Sequence, residues 1–210
     1  MPPFSLADKY GCHFKPQTNS PSRGPVGGAL YFYVIDGTWN FTDTVNRIFT
    51  IDDIVVFNVA DMVKKVSDAA TKLGGKIENL FIAGHGCSGY QSIGSERDYD
   101  DTVSVSLQYD DTTGQLRGAA GSQLAKLAPL FSRSAIVTLG GCQVASDPDG
   151  PDLLRAVSQA LGGIYVQGGK DTQRPLLPGM EGPILRCNPN ACTIVSKGLW
   201  WGSPGGGGIN

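Results

Sequence analysis

The chain has 210 residues, 40% of them apolar and 17% charged, and a net charge of −2. That length supports one domain with a real core. The near-neutral charge, with no Lys/Arg cluster, gives no electrostatic footing for nucleic acid. No apolar run approaches the ~18 residues of a membrane span. The start, Met1-Pro2-Pro3-Phe4-Ser5-Leu6-Ala7-Asp8, lacks a basic region followed by an apolar stretch, so it does not read as a secretory signal. Five cysteines, Cys12, Cys87, Cys142, Cys187 and Cys192, form an odd set without tight framework spacing. That favours reduced thiols in a cytosol-like, cytoplasmic setting, with Cys187 and Cys192 able to pair if the protein is exported by another route. Two histidines and no C-x-x-C pair predict no metal site.

Residues 1–28, rich in Pro, Ser, Gly and Asn, read as an irregular N-terminal arm. The α/β domain is expected over 29–201, followed by a flexible glycine-rich tail over 202–210. Ala29 to Ile35 is an apolar run of strand length ended by Asp36-Gly37. A short helix follows, with Thr42 or Asp43 as cap and Val45, Ile48 and Phe49 inward. Ile54 to Val59 is the second strand, rich in β-branched residues. Asp61 then caps a helix with Met62, Val63, Val66, Ala69, Ala70 and Leu73 on one face, stopped by Gly74-Gly75.

The third strand runs from Asn79 and ends at His85. The polar section 88–120 carries an alternating run, Val103 to Leu107, and a turn, Asp110 to Gly114, which predict a small excursion or hairpin off the main sheet. Ser122 is the expected cap of a helix bearing Leu124, Leu127 and Ala128. The fourth strand, from Ser134, ends at Cys142. Pro151 opens a helix with Leu153, Leu154, Val157 and Leu161 inward, and Gly162-Gly163 end it. Ile164 to Gln167 is the fifth strand, a Pro/Gly-rich loop spans 168–191, and Cys192 to Val195 is an edge strand. This order predicts a mostly parallel sheet with helices on both faces.

Two of these apolar runs end in glycines beside a reactive residue: Ile82-Ala83-Gly84-His85-Gly86 and Leu139-Gly140-Gly141-Cys142. Short apolar runs bounded by glycine suit strands buried on both faces of a parallel sheet. As parallel neighbours they bring His85 and Cys142 to the same carboxyl edge, one strand spacing or roughly 5 Å apart in backbone, where open α/β sheets bind ligands. There Cys142 is the candidate nucleophile and His85 its acid–base. The N–H groups of Cys142 and Gly86 are the candidate oxyanion donors. A thiol in this role has to be partly open, because burial raises its pKa. The glycines around His85 are read as room for a substrate backbone.

A lone cysteine after a strand is usually core filling, and a histidine beside glycine is usually a turn residue. It is their pairing at matching strand ends that favours catalysis. Cys87 is a rival nucleophile, but adjacency to His85 on one loop gives poorer convergence and leaves the Gly-Gly-Cys142 turn unexplained. A nucleophile elbow starting at Gly84 fails, since its nucleophile position is Gly86 and no base histidine follows His85.

The two strand ends, with Gly150, Leu153-Leu154 and Leu161-Gly162 after them, resemble the caspase-like (clan CD) cysteine peptidases: caspases, legumain, gingipains and the autoprocessing domains of large toxins. The similarity is greatest to uncharacterised bacterial caspase-like domains of large surface proteins, and it covers roughly residues 29–170. It implies a three-layer caspase-like fold and a thiol protease forming a thioester acyl-enzyme on a His85/Cys142 dyad. It implies no cofactor, a peptide or protein substrate, and control by autoprocessing or an activating partner. Asp36 is similar in place to residues near the P1 pocket, and Gln167 and Gly168 to a strand exit that pairs with substrate. The sequence departs from the family in having glycine before Cys142, no basic patch and no placeable pocket arginines. The alternative is a catalytically inactive interaction module of the same fold, with Trp200-Trp201 as a docking surface.

Overall fold

The computed structural model describes residues 28–37, 54–94, 104–172, 180 and 182–196. The predicted arm, the helix around Val45 to Phe49, Trp200-Trp201 and the glycine-rich tail lie outside the described residues. Five parallel strands form the centre of the domain: β1 (Ala29–Asp36), β2 (Ile54–Val56), β3 (Lys76–Ala83), β8 (Phe131–Leu139) and β9 (Tyr165–Gly169). Two antiparallel strands extend the sheet on one side, β10 (Ile184–Cys187) and β11 (Cys192–Ser196). The order across it is β11-β10-β9-β8-β3-β1-β2. The chain moves outward from β1 to β2, then returns past β1 to lay down β3. Strand order therefore reverses between β1 and β3, the kind of switch point where open α/β sheets leave a crevice at the strands' carboxyl ends.

Side chains alternate across the pleat, and the two faces differ. Leu30, Phe32 and Val34 of β1, Leu80 and Ile82 of β3, Val137 and Leu139 of β8 and Val166 of β9 share one buried cluster with the helices. Those helices are α1 (Val59–Leu73), α2 (Ala120–Leu124, continued as a tighter turn over Ala125–Leu130) and α3 (Gly150–Ala160). They pack side by side on that face as one layer. The opposite face carries Tyr33, Ile35 and Ala83 with Phe81 against them, and the Tyr33 and Phe81 rings stack 4.9 Å apart. The α/β class and the mostly parallel sheet are as the sequence predicts. The expected second helical layer is not among the described residues.

The third and fourth strands end at Ala83 and Leu139, short of the expected His85 and Cys142, and the fourth starts at Phe131 rather than Ser134; three further differences each have a local reason. Asn58, not Asp61, caps α1: its side-chain oxygen accepts from the Asp61 N–H at 2.8 Å. Asp61 instead accepts from the Phe57 N–H and from Lys65. This reciprocal cap stops β2 at Val56 and turns Val59 into the helix. Asn58→Ala is expected to cost about 1 kcal/mol, read as a fall of roughly 2–4 °C in melting temperature. Ser122 lies inside α2 rather than before it and donates back to the Ala119 carbonyl, a bond that serines form readily in helices. Third, the expected loop 168–191 hides β10, whose four residues Ile184–Cys187 sit among prolines and glycines.

The polar excursion forms a small antiparallel sheet, β4 (Gly86–Cys87), β5 (Tyr90–Ser92), β6 (Ser106–Asp110) and β7 (Gln115–Leu116), in that order. Cys187 and Cys192 face each other across β10 and β11 and are joined by a disulfide, which corrects the expectation of reduced thiols throughout. Among the described residues no helix is long and apolar enough to cross a membrane.

Candidate active site at the carboxyl edge

The ladder between β3 and β8 ends at Ile82 opposite Leu139, followed by one more bond from the Gly140 N–H to the Ile82 carbonyl at 2.8 Å. His85 and Cys142 each lie three positions beyond that last pair. The two strands thus deliver both residues to neighbouring turns on one edge. The turns touch through main chain: a Cβ on Gly86 would lie 2.7 Å from Gly141 Cα and 3.1 Å from the Cys142 nitrogen. Only glycine permits that approach.

The hairpin that follows His85 sets the turn's orientation. The Ser92 N–H donates to the His85 carbonyl at 2.8 Å, so these two form a hydrogen-bonded pair. The next pair, Gly86 opposite Gln91, is then of the alternate kind, and the Gly86 N–H points away from β5. Ser92 holds His85 from a second direction. Its hydroxyl accepts the His85 N–H at 2.8 Å and donates to Asp36 Oδ2 at 2.6 Å. Gln91, fully buried, donates from Nε2 to the Ser92 carbonyl at 3.0 Å and accepts the Gly141 N–H on Oε1 at 2.8 Å. One turn away, the Ser88 hydroxyl donates to the Ser146 carbonyl and accepts the Asp149 N–H. The histidine hairpin and the cysteine turn are therefore tied at two points.

His85 is half-buried, whereas Cys142 is 0% exposed. The expectation of a partly open thiol is corrected. The segment after β8 is drawn against the exit of β9, with the Gln143 N–H bonded to the Asp171 carbonyl and the Ala145 N–H to the Gly169 carbonyl, both at 3.0 Å. Val144 and Ala145 are completely buried. Gln143 adopts φ 53°, among the described residues the one non-glycine in the left-handed region. Such conformations cost about 1–3 kcal/mol and cluster where surroundings over-determine them. Gln143→Gly is expected to raise stability by about 1 kcal/mol, measured as a higher denaturant midpoint at unchanged slope.

The remaining predicted contacts fall elsewhere. Asp36 is 2% exposed and accepts the hydroxyl of Ser92, the residue that also holds the His85 backbone. Gln167 is 1% exposed; its Nε2 donates to Thr138, and its Oε1 accepts from Nε and Nη2 of Arg186. Burial lowers the pKa of that Arg186 guanidinium from its ordinary value. Gly168 pairs with Leu185 of β10 and Leu139 of β8. The strand edge expected to receive substrate at Gln167 and Gly168 is filled by the protein's own β10.

Gln91 and Ser92 carry no signal in one sequence, because a two-residue polar stretch in a short strand matches no spacing rule. The glycines around His85 were the visible trace. A Cβ on Gly84 would meet the Ser92 carbonyl at 2.5 Å and Gln91 Nε2 at 2.8 Å, so Gly84 makes room for the protein's own amide rather than for substrate. Among the described residues no group of three or more His, Cys, Asp and Glu is placed to hold a metal. No family model, curated protein or solved structure matches this chain.

Proposed function

We propose that the chain is a cysteine endopeptidase of the caspase-like kind, with Cys142 as nucleophile, His85 as acid–base and the Gly86 N–H as an oxyanion donor. The observation that carries this reading is the delivery of His85 and Cys142, at equal offset, from adjacent parallel strands onto touching turns beside the switch point. In the proposed reaction the thiolate attacks the scissile carbonyl, and the histidine passes its proton to the departing amine. Water, activated by the same imidazole, then hydrolyses the thioester. The covered state of Cys142 makes the described form a resting one, opened by self-processing or by a partner. The Cys187–Cys192 bond favours an oxidising compartment over the cytosol-like one that the odd cysteine count suggests.

That same burial favours a second reading, a catalytically silent interaction module. Digestion of a peptide library by wild type, Cys142→Ala and His85→Ala separates the two. The peptidase gives cleavage products that both substitutions remove, and alkylation of Cys142 under native conditions that slows in His85→Ala. Equal product patterns for all three proteins, with Cys142 alkylated only on global unfolding, overturn the peptidase reading.

A further inference from the structure

A dyad split between two turns works only if the turns keep a fixed spacing, yet the main-chain ladder between β3 and β8 stops before either residue. We propose that Gln91 is a positioning residue for this site, its buried carboxamide setting where the Gly140–Cys142 turn sits relative to His85. The proposal rests on the peptidase reading above. Both ends of the amide are committed, one to the Gly141 N–H and the other to the Ser92 carbonyl. Its orientation is unambiguous, because a donor faces Oε1 and an acceptor faces Nε2.

Ser92 in turn grips His85 through its own N–H and hydroxyl and is anchored on the Asp36 carboxylate. An unbroken path of hydrogen bonds thus runs from Asp36 at the end of β1, through Ser92 to the backbone of His85, and through Gln91 to the turn that ends in Cys142. Space for the amide is cut on both sides by glycine. A Cβ at Gly84 would lie 2.8 Å from Nε2, and one at Gly141 would lie 2.7 Å from Oε1. Both ends of the Gln91 amide are committed inside the fold, to the Ser92 carbonyl and the Gly141 N–H, so its effect falls on the chemical step rather than on binding.

Gln91→Met keeps the length and removes both bonds. On folded, purified protein it is expected to lower kcat about 10²-fold, the scale of an ångström-sized misplacement, with KM changed less than about twofold. Gln91→Glu keeps the shape but sets oxygen against the Ser92 carbonyl. Its kcat relative to wild type is expected to rise as pH falls, because a protonated carboxyl donates where the amide did. Independently of turnover, the Gly141 amide should exchange with solvent about tenfold faster in Gln91→Met, with the β3 core unchanged.

Active wild type with unchanged kcat in Gln91→Met overturns the proposal, as does a Glu variant whose relative kcat ignores pH. If wild type cleaves nothing and Cys142 is alkylated only on global unfolding, it is the peptidase reading that fails. The exchange experiment then decides the coupling alone: faster Gly141 exchange supports it and an unchanged rate overturns it. Should the methionine variant not fold, the glutamate variant at low pH carries the same test.

Discussion

Alanine at position 142 should reduce peptide hydrolysis by on the order of 10⁶-fold, the scale seen when a covalent nucleophile is removed. His85→Ala should cost less, about 10²–10⁴-fold, the range of general acid–base catalysis. The double variant should be no slower than Cys142→Ala alone, because an acid–base has nothing to activate once the thiol is gone. Stability cannot mimic this pattern. Shortening one buried side chain to alanine costs about 1 kcal/mol of a total on the order of 10 kcal/mol, so nearly every molecule stays folded. Initial rates on the best peptide from the library digest, with thermal unfolding as a control, supply the measurement. Additive losses in the double variant would mean that the two residues do not act on one substrate.

Gly86→Ala is expected to give the second large effect, on stability and rate together. The added methyl would stand 2.7 Å from Gly141 Cα, 2.9 Å from Gly141 C and 3.1 Å from the Cys142 nitrogen. All three are main-chain atoms, so no side chain can swing aside. Overpacking of this kind costs about 1–3 kcal/mol, and pushing the turns apart should cut kcat about 10²-fold. Gly121→Ala is the matched control: its Cβ would meet only the Leu116 Cβ at 3.9 Å, and alanine in a helix is favourable by up to about 1 kcal/mol. A denaturant midpoint for Gly86→Ala equal to wild type would show that the turns do not touch.

Much of the scaffold could be read from the residues alone because its signals are local. Apolar runs of strand length between glycines mark β1, β3 and β8. Period-3.6 stripes mark α1 through Met62, Val63 and Val66, and α3 through Leu153, Leu154 and Val157. Position at the strand ends followed from the same runs, which is why His85 and Cys142 stood out. Strand β10 did not, since Ile184-Leu185-Arg186-Cys187 is short and its pairing partner Gln167 lies in a distant segment. Burial was illegible for the same reason. The turn after Cys142 is held by the Gln143 and Ala145 N–H groups on the Asp171 and Gly169 carbonyls, contacts between segments that no spacing rule links. Gln91 and Ser92 act through single hydrogen bonds across the fold, and letters without coordinates do not encode partners.

The reversal of strand order between β1 and β3 bears on when the proposed centre is assembled. During synthesis the imidazole emerges 57 positions ahead of the thiol, and the strand that presents the thiol joins the sheet only after the excursion and α2 have been made. A chain halted anywhere before Phe131 therefore holds His85 and lacks Cys142, so on the proposed reading the ribosome-bound polypeptide has no nucleophile with which to cut itself.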